Sequence, residues 1–356
     1  MTARRIPPAL SLYLDLVRFL AALSVVLYHT WSEMFPARPF KWPGHEAVVV
    51  FFVLSGYVIA YSATAPGVTL RVYLEHRIAR IVPPAYAALL LALVVCLVKP
   101  DVLHDASLGW GSAANALFVA QAGPLFVEGP LNPPFWSLNY EVWYYAIFGV
   151  WLFAAPAWRL PLTACAALLA GPKIVMLFPV WLFGVLLYRR MPALKPGPAW
   201  ACFLGTLLAA ALLTWLNVSD MLRARLYAAV PAMWHAHYST QFVYDILLGV
   251  VVALHFTAVA SLGGVTRWLE PAARPIRYLA GCTFSLYVFH GPLLVLVRDV
   301  LGARQPLPFY ALVALGVLVA AELTERRSRA YRTLVRRLLA KVRMPGAVAE
   351  PRSTIS

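Results

Sequence analysis

Four segments of the chain place polar or ionisable side chains inside otherwise apolar runs. The first reads YLDLVRFLAALSVVLYHTW at residues 13–31, and in it Arg18 and His29 are 11 positions apart. At about 100° per residue that separation is about 1100°, only about 20° past three turns, so both side chains share one helix face about 16.5 Å apart along the axis. Asp15 precedes Arg18 by three positions and can pair with it. An ionisable group inside a membrane helix is costly and tends to face a polar cavity. An imidazole that titrates near neutrality can take a proton from an attacking hydroxyl. The other reading of His29 is a solvated interfacial histidine beside Trp31, and the arginine on the same face weighs against it.

The second segment carries Arg77 and Arg80, one helical turn apart, with His76 before them and Pro83-Pro84 after. Two guanidiniums on one face suit phosphate groups, or they anchor the cytoplasmic end of a span. The prolines are expected to open the transmembrane part of that helix. In the third, Ser137 and Glu141 stand at i, i+4 at the start of a span. A carboxylate near a helix N-terminus is favoured; it could orient His29 or bind an acceptor hydroxyl, or serve only in capping. The fourth holds Tyr287 and His290 at i, i+3. They line the same cavity, or His290 satisfies a neighbouring backbone group. Ser55-Gly56-Tyr57 interrupts another apolar run and either lets two helices approach closely or leaves room for a ligand.

The elements that position these residues must be membrane helices. The chain has 356 residues, 62% hydrophobic and 13% charged, with a mean hydropathy of +0.72; soluble domains carry about 25% charged residues. Ten apolar stretches are candidate spans, at 11–33, 46–64, 82–98, 136–155, 160–176, 177–189, 199–216, 239–257, 278–298 and 307–324. The sixth and the one before it are short enough to form one kinked hairpin. Ala113–Ala122 is too short to span and reads as re-entrant or interfacial. The first run follows MTARRIPPAL without a small-residue cleavage site, so it reads as a retained span.

The net charge of +15 follows from Lys and Arg concentrated on the side of the N-terminus, which predicts both termini in the cytoplasm. No groove-reading or RNA-binding motif accompanies that charge, so nucleic acid is not an expected partner. Cys96, Cys165, Cys202 and Cys282 lie in apolar runs without metal-ligand spacing, so neither a metal site nor a disulfide framework is expected. The longer outer loops hold His104, Trp110, Asn115 and Asn132, then Asn217, Trp234, His235 and His237. Those side chains suit sugar stacking and hydrogen bonding, or an interfacial aromatic belt. Residues 326–356 are expected to form a basic cytoplasmic tail, in which RRSRAYRTLVRRLLAKVR at 326–343 reads as a basic amphipathic helix on the anionic cytoplasmic leaflet. No internal repeat and no fused soluble domain is expected.

Taken in order, the Arg18–His29 pair, VVVFFVLSGYVIAY at 48–61, HRIARIVPPAY at 76–86, FWSLNYEVWYY at 135–145 and CTFSLYVFHGPL at 282–293 resemble the membrane-bound acyltransferase family 3. That family includes the bacterial O-antigen and exopolysaccharide acetyltransferases. The resemblance implies an all-α polytopic bundle of about ten transmembrane helices around a polar cavity, covering residues 1–325. It implies transfer of an acyl group, most simply acetyl, from cytoplasmic acyl-CoA to a carbohydrate hydroxyl at or beyond the bacterial inner membrane, with no permanently bound cofactor. It further implies His29 as catalytic base, Arg18 and Glu141 beside it in the catalytic set, and Arg77 and Arg80 as an essential pair near the CoA phosphates. Asp15, Ser55, Tyr57, Ser137, Tyr144, Tyr287 and His290 are the expected cavity residues.

The chain departs from the family pattern at Ala47-Val48-Val49, where Gly-Val-Asp is common, and at His76, where a third arginine is common. Glu46 lies one turn from the missing carboxylate and could replace it. With no obvious nucleophile beside His29, direct transfer without an acyl-enzyme is expected. Two other classes would also bury such residues: a secondary transporter, which predicts inverted repeats, and a glycan-assembly partner without chemistry, in which His29 is dispensable.

Overall fold

The computed structural model describes residues 6–37, 40, 42–99, 107–264 and 266–341. The opening MTARR, Arg38, Lys41, His104 and the chain after Lys341 lie outside the described residues, as does the side chain of Trp234. The secondary structure of the described residues is helical, without a strand. The long helices are α1 (Pro8–Met34), α2 (Gly44–Ala63) and α3 (Leu70–Val98), followed by the short α4 (Ser107–Ala116). Then come α5 (Trp136–Phe153), α6 (Pro156–Ala170), α7 (Pro172–Arg190), α8 (Pro196–Trp215), α9 (Val218–Ala229) and α10 (Phe242–Ser261). The chain closes with α11 (Ala273–Ala280), α12 (Thr283–Val295), α13 (Pro306–Leu323) and α14 (Ser328–Ala340).

The predicted stretches lie on helices, but 160–176 is divided at Gly171 between α6 and α7, 177–189 is the remainder of α7, and 278–298 begins in α11 and continues through α12. Eight helices, namely α1, α2, α3, α7, α8, α10, α12 together with the π-helical turn Leu296–Val300 that continues it, and α13, are long and apolar enough to cross a membrane. Helix α6 has only 15 residues, and α5 carries Ser137, Asn139 and Glu141. The lipid-facing surface is plain on the peripheral helices: Leu168 is 81% exposed and Trp215 86%. An apolar surface on that scale is untenable in water and ordinary in hydrocarbon. The chain is therefore a multi-pass membrane protein.

Two local expectations are corrected. Pro83 and Pro84 do not open a helix: α3 begins thirteen residues before Pro83, at Leu70, where the Thr69 hydroxyl accepts from the Val72 amide at 3.3 Å, and it runs through both prolines. Neighbouring helices in a membrane tolerate the lost backbone donors. Likewise Ser55-Gly56-Tyr57 does not break α2, which is continuous from Gly44 to Ala63. Gly56 instead faces Gly184 of α7, and a Cβ on Gly184 would stand 2.6 Å from the Tyr57 amide nitrogen. This pair of glycines lets the backbones of α2 and α7 approach closely. The junction of α6 and α7 is Gly171, whose φ of +86° only glycine adopts readily.

The helices alternate in direction, so the polar residues sort to two ends. The first halves of α1 and α3 meet α11, the turn after α13 and the start of α14 at an arginine-rich end. The end of α1, the starts of α2 and α5, and the 231–239 turn meet at a histidine-bearing end. At that second end Arg298 pairs with Glu33 at 2.7 Å and with Asp299 at 2.7 Å, and Lys99 pairs with Asp299 at 3.3 Å. This network ties α1, α3 and α12 together; linked charges hold better than an isolated surface pair.

Candidate functional site

Three cavities lie along the bundle and are linked by residues that line two of them. The mouth, about 1130 Å³, opens at the arginine-rich end. It shares Arg18, Arg77 and Arg80 with an inner cavity of about 790 Å³. The inner cavity shares Tyr287 with an outer cavity of about 870 Å³.

The deep end of the mouth is built from α1 and α3. Arg18 pairs with Asp15 at 3.5 Å, as the spacing predicts. Arg77 reaches Ser62 at 3.4 Å and lies 5.9 Å and 5.7 Å from the ring centres of Tyr73 and Tyr145. Its Nε and Nη1 are buried without a hydrogen-bond partner among the described residues. A buried cation with idle donors is costly unless an anion completes it.

The inner cavity has apolar walls, including Phe51, Phe52, Ile59, Leu138 and Phe284, and one polar strip. On that strip Glu141 accepts from Ser55 Oγ at 2.5 Å and from the Tyr145 hydroxyl. Trp181 Nε1 donates to Ser55 Oγ at 3.2 Å. Helix α5 presents Ser137, Glu141 and Tyr145 at i, i+4, i+8 on one face, and α2 presents Ser55 opposite. Glu141 therefore faces Ser55 and the arginines. It makes no bond to His29, which lines the outer cavity instead. Ser137 and Tyr287 hydroxyls meet at 2.6 Å, and Tyr287 also donates to the Pro134 carbonyl at 3.0 Å, where the inner and outer cavities join.

His29 opens into the outer cavity. Its Nδ1 lies 2.8 Å from the Val25 carbonyl, which holds the proton on that nitrogen and leaves Nε2 as the acceptor. The His290 ring is 5.2 Å away, but His290 is fully buried, bonds the Tyr287 carbonyl at 2.7 Å and lines none of the three cavities. Of the two readings of His290, the structure adopts the backbone one. His45, on the same outer cavity, bonds the buried Asp245 at 2.8 Å. Glu46 accepts from Tyr244 at 3.2 Å beside it. Trp136 stacks on Tyr238 at 4.6 Å and on His45 at 6.0 Å.

Some expected cavity residues lie elsewhere. Tyr144 is buried between α5 and α7, donating to the Ile174 carbonyl at 3.1 Å, and Tyr57 packs on Tyr188 at 5.9 Å; neither lines any of the three cavities. Tyr145 takes the place expected of Tyr144, and its spacing from Glu141 was the available signal. Among the loop residues singled out for sugars, His237 lines the outer cavity. Asn115 and Asn132 are spent on the Gly111 and Val288 carbonyls, each at 2.8 Å. The sequence reading missed His45, Trp136 and Tyr238 at the outer cavity. It also missed Arg329 and Arg332 of α14, which line the mouth.

The fold and these linked cavities define a multi-pass membrane protein with an arginine-lined entrance at one end and a histidine at the other. Residues 11–325 match the acyltransferase 3 family, described as an acyltransferase domain, and the chain belongs to that family. Two curated relatives are similar over part of their length. One is the acyltransferase MdmB of Streptomyces mycarofaciens, 29% identical over 38% of this chain and 37% of the relative. The other is the exopolysaccharide production protein ExoZ of Rhizobium meliloti (strain 1021), 28% identical over 34% of this chain and 38% of the relative. The matched stretch thus spans less than two fifths of either relative. No solved structure gives a significant match.

Proposed function

We propose that this protein is a membrane-bound O-acyltransferase that takes an acyl group, most simply acetyl, from cytoplasmic acyl-CoA and delivers it to a carbohydrate hydroxyl on the opposite side of the inner membrane. The observation that carries this reading is the line of cavities, with arginines at one end and His29 at the other, meeting at Tyr287. Membership of the family supports acyl transfer, and the exopolysaccharide protein among the relatives favours a carbohydrate acceptor.

The chemistry follows from the groups at each end. The diphosphate and phosphomonoester of CoA suit the mouth, where Arg77 and Arg80 offer bidentate donors. The uncharged thioester arm suits the apolar walls of the inner cavity. An acceptor sugar entering the outer cavity would stack on Trp136 and present a hydroxyl to His29. Nε2 of His29 takes the hydroxyl proton as the oxygen attacks the thioester carbonyl. The carbon–sulfur bond breaks, the acyl ester forms, and the CoA thiolate leaves and is reprotonated by the His29 imidazolium. Both reactants are held at one junction, so the step needs no covalent acyl-enzyme.

The test uses membranes carrying either wild type or His29→Ala, labelled acetyl-CoA and a glycan pool. General-base catalysis contributes about 10²- to 10⁴-fold, so transfer should drop by that factor at equal expression. Equal transfer by both proteins would remove His29 from the mechanism. Recovery of labelled protein after brief exposure to labelled acetyl-CoA would overturn the direct route.

A further inference from the structure

We propose that the C-terminal helix α14 is the outer half of the donor site. In this assignment Arg329 and Arg332 bind the 3′-phosphomonoester of CoA, while Arg77 and Arg80 hold its diphosphate. The assignment rests on the reading that the donor is acyl-CoA, and it assigns a role to residues beyond the family match, which ends at 325.

The first argument is position. Arg18, Arg77 and Arg80 line both the inner cavity and the mouth, whereas Arg277, Arg329 and Arg332 line the mouth alone. An extended CoA with its thioester in the inner cavity must place its diphosphate at the shared arginines. Its ribose phosphate, at the far end of the molecule, then falls where only the second set is available. The two sets of arginines thus match the order of the two anionic groups along the donor.

The second argument is that these guanidiniums are uncommitted. Neither Arg329 nor Arg332 spends its guanidinium on a hydrogen bond or ion pair with the described residues. Their neighbours on the same segment are engaged. Arg326 lies 3.7 Å above the Tyr278 ring and pairs with Glu322, and Arg336 pairs with Glu75. The acids facing the mouth are also occupied. Asp15 is paired with Arg18. Glu325 caps the start of α12, accepting from the Ser285 amide at 2.9 Å and its hydroxyl at 3.1 Å. The positive charge of the α14 arginines is therefore not neutralised from within.

The third argument is that α14 is held in place. Glu75 of α3 is only 3% exposed and pairs with Arg336 at 3.3 Å and Arg71 at 3.7 Å. At about 100° per residue, Arg329, Arg332 and Arg336 fall within about 60° of one another on the helix. The exposed Leu334 and Leu338 fall on the other side. The same helix can therefore rest its apolar face toward lipid and turn its arginine face toward α3 and the mouth. A helix that only bound anionic lipid would not need a buried carboxylate on α3 to fix its rotation.

The test compares acetyl-CoA with acetyl-3′-dephospho-CoA for binding to the full-length protein in nanodiscs, by competition with labelled acetyl-CoA. Wild type should bind the phosphorylated donor at least about tenfold more tightly, as charge-assisted phosphate contacts demand. Arg329→Gln/Arg332→Gln should bind both donors with the dephospho affinity of wild type, while Arg77→Gln/Arg80→Gln should weaken both donors alike. Unchanged binding of the dephospho donor also shows that the tail variant is folded. A wild type without preference for the 3′-phosphate overturns the assignment with no variant needed, and so does a tail variant that keeps the wild-type preference. If wild type binds neither donor, the acyl-CoA reading itself falls and takes this assignment with it.

Discussion

The Gly184→Ala substitution tests whether the packing of two helices sets the geometry of the cavity. A Cβ on Gly184 would lie 2.6 Å from the Tyr57 amide nitrogen and 3.0 Å from the Gly56 carbonyl carbon, both backbone atoms of α2 that no rotamer change can move. Ordinary contact begins at 3.4 Å, so α2 and α7 must part by at least about 0.8 Å. Overpacking of this kind costs about 1–3 kcal/mol. The shift also acts on the site, because Ser55 rides on α2 and Trp181 on α7. Their hydrogen bond of 3.2 Å would stretch toward about 4.0 Å, beyond hydrogen-bond reach. Ser55 is one of the two donors that orient Glu141. Misplacement of a reacting group by about 1 Å costs about 10²-fold, and an indirect displacement of this size should lower acyl transfer about 10- to 100-fold. Transfer is read with labelled acetyl-CoA in membranes, and stability by the heating midpoint of monodisperse protein in fluorescence-detected size exclusion. Gly205→Ala on α8, where a Cβ meets nothing within 4 Å, is the control and should be neutral or slightly stabilising. If Gly184→Ala behaves like Gly205→Ala in both assays, the crossing does not hold the site and the reasoning is wrong.

Three further outcomes follow from other parts of the site. Arg77→Gln should weaken acetyl-CoA binding at least about tenfold, since it removes a buried charge-assisted donor pair; unchanged affinity in equilibrium binding would separate Arg77 from the donor. Trp136→Ala should raise the acceptor KM with little change in the acetyl-CoA KM, because its ring lines only the outer of the two donor-to-acceptor ends; a stacking contact contributes about 0.5–1.5 kcal/mol, or about a 2- to 13-fold effect. Glu75→Gln should release α14, because Arg336 loses its partner, and limited trypsin digestion should then cut between Arg326 and Lys341 sooner than in wild type. Identical digestion time courses would mean that Glu75 does not hold the tail.

Much of the bundle was legible because membrane helices announce themselves by length and apolarity; the boundary at Gly171 between α6 and α7 was not, because both neighbours are short and apolar. The Arg18–Asp15 pair was legible because it depends only on the period of one helix. Other features depend on partners distant in sequence. Pro83 and Pro84 read as a helix start by rules drawn from water, yet α3 carries them internally. Tyr144 and Tyr145 are adjacent, and only the placement of α2 and α7 decides which of them turns inward; the i+4 spacing of Tyr145 from Glu141 was the usable clue. Glu141 sat on the expected helix but faces Ser55 rather than His29, because α2 lies between. The role of α14 was hidden because the partner of Arg336 is Glu75, 261 positions earlier. A basic amphipathic sequence alone suggests only the membrane surface.

The separation of Arg18 from His29 into different cavities strengthens the case for a vectorial reaction. Had both lined one wide aqueous channel, protons, water and charged donors could have crossed with the acyl group. Instead the inner cavity is walled by Phe51, Phe52 and Phe284 as well as by the arginines, and it shares with the outer cavity Tyr287, which is hydrogen-bonded to Ser137 and the Pro134 carbonyl. Such walls admit a slender uncharged arm and reject a phosphate, which would forfeit its guanidinium partners for hydrocarbon. The thioester would thus be the one part of the donor able to reach the junction, and the sugar, too polar for the inner cavity, would be met at its edge by His29, which lines the outer cavity. A bundle built in this way needs neither to carry CoA across the bilayer nor to move the acceptor inward. Under the proposed reaction it would hold each substrate on its own side and let only the carbon–oxygen bond form between them.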